Sequence, residues 1–233
     1  MQPVVTLDAV TVGYPVRVVL ESVDAALPAG RTTAIVGPNG SGKSTLLDAI
    51  AGVRPVLSGS VTRSCRTRPA YVTQRSALPD SLPLTVRAAV AMGRWAHRGP
   101  WLRLTTRDRE VVTDCLRRLE LTALGDRSVA SLSGGQRQRM LLAQGLAQQS
   151  ELLLLDEPET GLDVGATELI EQALDEERRA GTSVVRITHD RAVALRSDHC
   201  LVLGRGLLVA ADVPATALRA GAPPATDASG PPS

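Results

Sequence analysis

Gly37-Pro38-Asn39-Gly40-Ser41-Gly42-Lys43-Ser44-Thr45 holds the only lysine and the only asparagine of the chain. All other residues counted among the 26 Lys and Arg are arginines, and phenylalanine is absent. Lys, Asn and Phe share AT-rich codons, so a GC-rich genome accounts for their scarcity. A lysine kept against that background marks a place where arginine does not serve. A compact ammonium fits between phosphate oxygens where a planar guanidinium does not. The stretch follows the pattern G-x-x-x-x-G-K-[ST], in which Lys43 reaches the β- and γ-phosphates and the Ser44 hydroxyl ligates Mg²⁺. The glycines let backbone N–H groups turn inward around the β-phosphate. The helix that follows aims its N-terminus at the same anion. A loop of this kind implies a nucleoside triphosphate bound with Mg²⁺.

The flanks supply the context that such a loop needs. Thr32–Val36 is a short apolar run ending at Gly37, suited to a buried parallel strand. Residues 44–51 read as a helix ending at Gly52. Upstream, Val4-Val5-Thr6-Leu7 and Val16-Arg17-Val18-Val19-Leu20 are β-rich segments separated by Gly13 and Pro15. Residues 70–73 read as a further strand. Then the character changes. Residues 85–92 read as a helix stopping at Gly93, and residues 106–121 as a second. In the second, Val111, Val112, Cys115, Leu116 and Leu119 share one face, and Arg107, Asp108, Arg109, Glu110, Arg117 and Arg118 fall largely on the other. The strand–helix alternation resumes with Leu152-Leu153-Leu154-Leu155, a helix over Val164–Arg179 and a strand over Ser183–Ile187. Alternation of this kind implies a parallel sheet with helices on both faces. The expected organisation is one α/β domain over 1–220 with a helical insertion at about 76–131. Residues 221–233, rich in Pro, Ala, Gly and Ser, read as a disordered tail.

Two further segments carry chemistry. Leu152-Leu153-Leu154-Leu155-Asp156-Glu157-Pro158 puts two carboxylates at the C-terminal end of a buried strand, where ligands sit in sheets of this class. Asp156 is expected to orient the Mg²⁺ shell, and Glu157 to polarise an attacking water as general base. Leu132-Ser133-Gly134-Gly135-Gln136 opens a helix with a hydroxyl and two glycines, a second anion-binding terminus. Two phosphate cradles in one chain make sense if two chains share each nucleotide.

Composition narrows the rest. The 43% hydrophobic content of the 233 residues is ordinary for a globular protein. A net charge of +2 gives no reason to expect a nucleic-acid partner. No apolar run approaches the ~18 residues of a membrane span. Met1-Gln2-Pro3 leads into Val4 without the charged start and apolar core of a signal segment, so the expected location is the cytosol. Cys65, Cys115 and Cys200 are odd in number and widely spaced, as expected of reduced, structural thiols.

On these motifs the chain resembles the ATP-binding subunits of ABC transporters, over roughly residues 3–212. GPNGSGKST resembles the family's Walker A, LLLLDEP its Walker B and LSGGQ its signature. The resemblance implies a P-loop NTPase core with a mixed, mostly parallel sheet, an N-terminal antiparallel β-subdomain and an inserted α-helical subdomain. It also implies roles for single residues. Tyr14 resembles the aromatic that stacks on adenine. Gln74 resembles the glutamine that contacts Mg²⁺ and the lytic water. Asp163 in Thr160-Gly161-Leu162-Asp163 resembles the aspartate that links two subunits, and it also suits an N-cap. His189 in Thr188-His189-Asp190 resembles the histidine that holds the γ-phosphate. Thr73 and Glu159 depart from the pattern, standing where proline and threonine are common.

The resemblance further implies a homodimer in the ATP-bound state, closed over nucleotide by Lys43, Ser44 and Gln74 of one copy and Ser133 and Gly135 of the other. It implies membrane permease subunits docked beside residues 75–105, an extracytoplasmic substrate-binding protein as an indirect partner, and a place on the cytoplasmic face of the membrane. Met92-Gly93-Arg94-Trp95-Ala96-His97-Arg98-Gly99-Pro100-Trp101 resembles a segment of zinc and manganese uptake ATPases, and ferric-siderophore importers share part of it. Import of a divalent metal is therefore the expected function. A siderophore importer, an exporter and a non-catalytic regulatory domain remain as alternatives, as does an ABC protein acting on DNA or ribosomes. His97, His199 and Cys200 are expected to be structural rather than metal ligands.

Overall fold

The computed structural model describes residues 2–14, 16–73, 83–99, 101 and 103–220. The elements run β1 (Pro3–Tyr14), β2 (Arg17–Pro28), β3 (Thr32–Val36), α1 (Lys43–Ala51), β4 (Ser58–Arg63) and β5 (Ala70–Val72). They continue with α2 (Val86–Ala91), α3 (Trp95–Arg98), α4 (Thr106–Arg118), α5 (Gly134–Ala147), β6 (Leu152–Asp156) and α6 (Val164–Arg179). The chain closes with β7 (Ser183–Ile187), α7 (Arg191–Arg196), β8 (His199–Gly204), β9 (Leu207–Asp212) and α8 (Pro214–Ala220).

Two sheets result. An antiparallel sheet of order β2-β1-β4 is built from the N-terminal strands, and a larger sheet has the order β5-β6-β7-β3-β8-β9. In the larger one all pairs are parallel except β8–β9. The mixed, mostly parallel core and the antiparallel N-terminal sheet match the fold class expected from the sequence.

Strand β6 explains how the layers join. Leu152 and Leu154 pack into the cluster shared with β1, β2 and α1. Leu153 and Leu155 pack into the opposite cluster, formed with α2, α4, α5 and α6. All four are 2% exposed or less. A strand covered on both faces cannot alternate polar and apolar residues, hence the unbroken leucine run. Each buried leucine contributes about 1.5–3 kcal/mol relative to exposure. The strand is thereby held rigid, and Asp156 and Glu157 are delivered at its end.

Two expectations need correction. The helix over 85–92 does not stop at Gly93. Thr85 caps α2 through its side chain, and the chain then winds through a 3₁₀ turn, Met92–Arg94, directly into α3. Gly93 is there for closeness rather than termination, since a Cβ on it would lie 2.3 Å from the Gln144 carbonyl oxygen. The polar face drawn for α4 is also wrong in part. Asp108 is 3% exposed, and it closes a capping box with Thr105 while pairing with Arg94. Arg118 is largely covered too, held by Glu176 and Glu177. Helical periodicity counts both as polar, but each buries its charge against a specific partner. The cysteines are free thiols, with Cys115 and Cys200 buried.

Candidate nucleotide site

The phosphate loop leaves β3 and turns into α1 through glycines with positive φ. Gly37 has φ of 152° and a Cβ there would meet the Leu203 carbonyl oxygen at 2.3 Å. Gly42, the N-cap of α1, has φ of 102°. Lys43 is 7% exposed, and its Nζ donates to the carbonyl oxygens of Gly37 at 2.9 Å and Pro38 at 3.0 Å. Burial lowers its pKa below the ordinary value, and the charges of Glu157 and Asp156 oppose that shift. The ammonium is thus folded back on its own loop, within reach of the charges of Glu157 and Asp156.

Ser44 Oγ donates to Asp156 Oδ1 at 3.3 Å. Burial pushes the Asp156 pKa up, and the Ser44 hydroxyl works against that. A hydroxyl and a carboxylate side by side are hard oxygen donors of the kind magnesium prefers. Among the described residues no group of three or more His, Cys, Asp or Glu could hold a metal.

Glu157 follows Asp156 with φ of 50°. This left-handed conformation costs a non-glycine residue about 1–3 kcal/mol. Its Oε1 lies 2.7 Å from His189 Nε2, and its Oε2 accepts from Thr160 Oγ1 at 3.0 Å. The structure therefore brings together Glu157, at the end of β6, and His189, at the end of β7. The two are neighbours because β6 and β7 pair in parallel, Asp156 beside Ile187.

Tyr14, Arg17, Asn39, Gly40, Lys43, Ser44, Thr45 and Glu157 all line one open cleft of about 410 Å³. Tyr14 ends β1 half-exposed. The guanidinium of Arg54 sits 4.3 Å from the centre of its ring. Arg17, Arg54 and Thr160 were not singled out from the sequence. Arg17 opens β2, Arg54 lies in the turn after α1, and Thr160 was named only as part of the segment around Asp163, so the fold reveals their places.

The signature segment lies elsewhere. Ser133 caps α5 with Gln136 in a closed capping box, Ser133 Oγ accepting from Gln136 N and Gln136 Oε1 from Ser133 N. Gly134 is exposed, and a Cβ on it would meet nothing within 4 Å. None of Ser133, Gly134, Gly135, Gln136 or Asp163 lines the cleft that holds Lys43. Asp163 caps α6, accepting from Ala166 N at 2.8 Å. Gln74 falls outside the described residues, as do 75–82 of the expected permease groove and the whole of 221–233.

The profile of a known family, described as ABC transporter, matches residues 20–160. The chain belongs to that family. This ABC cassette is 35% identical to the manganese transport system ATP-binding protein MntB of Listeria innocua serovar 6a, over 87% of each chain. It is 38% identical to the zinc transport system ATP-binding protein TroB of Treponema pallidum, over 85% of this chain and 77% of that one. Among solved structures it is similar to the ATP-binding cassette MJ0796 in a dimeric post-hydrolysis state bound to ADP and Pi. There the TM-score is 0.80 at 28% identity, covering 90% of this chain and 98% of that one. As an ABC ATPase subunit, the protein binds nucleotide. Among its described residues no helix is long and apolar enough to cross a membrane.

Proposed function

We propose that the chain hydrolyses ATP with Glu157 as general base and powers import of a divalent metal, zinc or manganese, through separate permease subunits. The observation that carries this reading is that Lys43, Ser44 and Glu157 line one cleft, with Asp156 bonded to Ser44 and His189 to Glu157. Tyr14 offers the adenine a ring face. Gly37, Pro38, Asn39, Gly40, Ser41, Gly42 and Thr45 shape the phosphate cradle, and Lys43 neutralises the β- and γ-phosphates. Ser44 and Asp156, with Gln74, would hold Mg²⁺, which neutralises phosphate charge when bound. Glu157 takes a proton from the attacking water. His189 leaves Glu157 to hold the γ-phosphate. Hydrolysis needs all of these groups aimed at one phosphate, and burial of Lys43 and Asp156 strengthens their fields.

Two copies pair head to tail, and Ser133, Gly134, Gly135, Gln136 and Asp163 of one complete the site of the other. The dimeric MJ0796 cassette supports this pairing, as does the exposed N-terminus of α5. The pair docks on the cytoplasmic face of the membrane, and an extracytoplasmic binding protein delivers the metal. The likeness to MntB and TroB supports the metal. The test is Glu157→Gln, which keeps the shape of the side chain and removes the base. It retains ATP binding and loses hydrolysis by about 10²–10⁴-fold. Normal turnover by that variant overturns the base assignment. Uptake of labelled zinc and manganese by cells with and without the protein tests the cargo.

A further inference from the structure

Glu159 stands two residues beyond Glu157, in the same turn, where the family resemblance led us to expect threonine. Its carboxylate is 13% exposed and engages two partners. Oε2 accepts from Arg186 Nη2 at 2.9 Å, and Oε1 accepts from Thr188 Oγ1 at 2.6 Å. Arg186 is 3% exposed in the middle of the sheet, on β7, and its other nitrogen lies 2.6 Å from Glu171 Oε1. A guanidinium buried in a sheet needs anions close by. A threonine at 159 has one short hydroxyl and could not reach both Arg186 and Thr188.

Thr188 immediately precedes His189. It is 1% exposed and anchored on several sides. Its N–H donates to Ile35 O at 3.3 Å, and its Oγ1 accepts from Asp190 N at 3.1 Å while donating to Glu159. His189 is thereby bracketed between two residues whose hydrogen bonds meet at one hydroxyl. Two rungs connect the turn after β6 to the loop after β7. One is Glu157 to His189, half-exposed on the histidine side, and it must open when His189 turns to a phosphate. The other, Glu159 to Thr188 and Arg186, is buried and needs no change during turnover.

We infer that Glu159 is a positioning residue, which holds the backbone of His189 at a fixed distance from Glu157 while the histidine ring swings between base and γ-phosphate. The inference rests on the roles proposed above for Glu157 and His189. Its charge on Arg186 steadies the rung, and its hydrogen bond to Thr188 transmits the position to the histidine.

The experiment compares Glu159→Ala, Thr188→Val and the double variant in the full-length protein, with Glu157→Gln as control. Misplacing a group at the reacting centre by about 1 Å can cost about 10²-fold, so each single variant lowers kcat about tenfold or more. The KM for ATP stays within about twofold, because neither residue lines the nucleotide cleft. The double variant falls no further than the worse single one, since both break one link. In nucleotide-free protein, the amides of residues 188–190 exchange faster in both singles. Glu159→Gln, which keeps an oxygen for Thr188 but loses the charge on Arg186, recovers part of kcat. Thr188→Val leaves both ion pairs of Arg186 whole, and so decides the matter if Glu159→Ala does not fold. An unchanged kcat beside a lowered Tm makes Glu159 a stabilising residue only and overturns the inference. So do additive losses, which would mean that Glu159 and Thr188 act apart. If Glu157→Gln hydrolyses normally, the base assignment fails by itself, and the exchange of residues 188–190 still reads the rung.

Discussion

Replacing Arg94 with leucine is expected to destabilise the protein by about 3–5 kcal/mol, the range for breaking a buried ion pair from one side. Arg94 and Asp108 have side chains only 8% and 5% exposed, with Nε of the arginine 2.9 Å from Oδ1 of the aspartate. Nη1 of Arg94 also donates to Ala147 O at 2.8 Å and Gln149 Oε1 at 3.0 Å. The arginine therefore ties the turn before α3, the start of α4 and the end of α5 in one knot. Leucine fills the space and leaves all three acceptors without their donor. Asp108 is not stripped bare, because its Oδ2 keeps the N–H of Thr105 at 2.9 Å and the Thr105 hydroxyl at 2.6 Å. That retained pair keeps the estimate within the range quoted rather than above it. A domain of ordinary stability has about 5–15 kcal/mol in all, so the loss is a large share. Urea titration of the purified chain reads it as a fall in midpoint at constant slope. Asp108→Asn completes a double-mutant cycle, and the two losses are expected to be strongly less than additive. The pH dependence gives an independent arm. The Thr105 hydroxyl first, then its backbone N–H and the Arg94 guanidinium, hold the Asp108 carboxyl well below its ordinary 3.8, against the opposing effect of burial. A depressed acid contributes stability above its unfolded pKa and loses it as pH falls through the folded value. The gap between the parent chain and Asp108→Asn is thus full at neutral pH and closes as pH drops below 3.8. A loss under about 1 kcal/mol for Arg94→Leu, or a gap that does not close in acid, refutes the knot.

Lys43→Arg is expected to weaken ATP binding by at least about 100-fold, because two charge-assisted contacts worth ~1.5–3 kcal/mol each are lost to a group too broad for the loop. Calorimetric titration with ATP checks it, and near-native affinity refutes the size argument. The thiols should differ in reactivity: burial pushes Cys115 up to about 12 and Cys200 up to about 11, whereas Cys65 is only part-buried. Iodoacetamide at neutral pH is expected to label Cys65 first and the other two only after unfolding, read by mass spectrometry. Early labelling of Cys200 shows that β8 opens.

The sheet core was legible in the sequence because its strands obey one simple rule. Thr32–Val36 and Ser183–Ile187 are short apolar runs bounded by breakers, and the observed β3 and β7 occupy those spans. Helix α6 runs over Val164–Arg179 as its periodicity predicts. Legibility failed where a polar residue is buried by partnership. Arg94, Asp108 and Arg118 look like solvent-facing charges in a helical pattern, and each is covered because a specific opposite charge reaches it. The partner of Arg94 lies on a separate helix, α4, with α3 between them, so no single helical pattern contains both.

The candidate site divides along the same line. Its phosphate loop and its two carboxylates are contiguous in sequence, and contiguity makes a motif readable. The pairing of Glu157 with His189 depends instead on which strands lie side by side. Strand β6 sits beside β7, so two loops far apart in the chain end on the same edge. The polar group that links those loops a second time could not be inferred from composition either. Glu159 showed itself in the sequence only as a departure from a family pattern. A carboxylate there makes physical sense once Arg186 is seen to be buried in the sheet, because the cation then needs an anion within reach. The departure and the buried arginine are two halves of one feature, and neither half has a reading without the other.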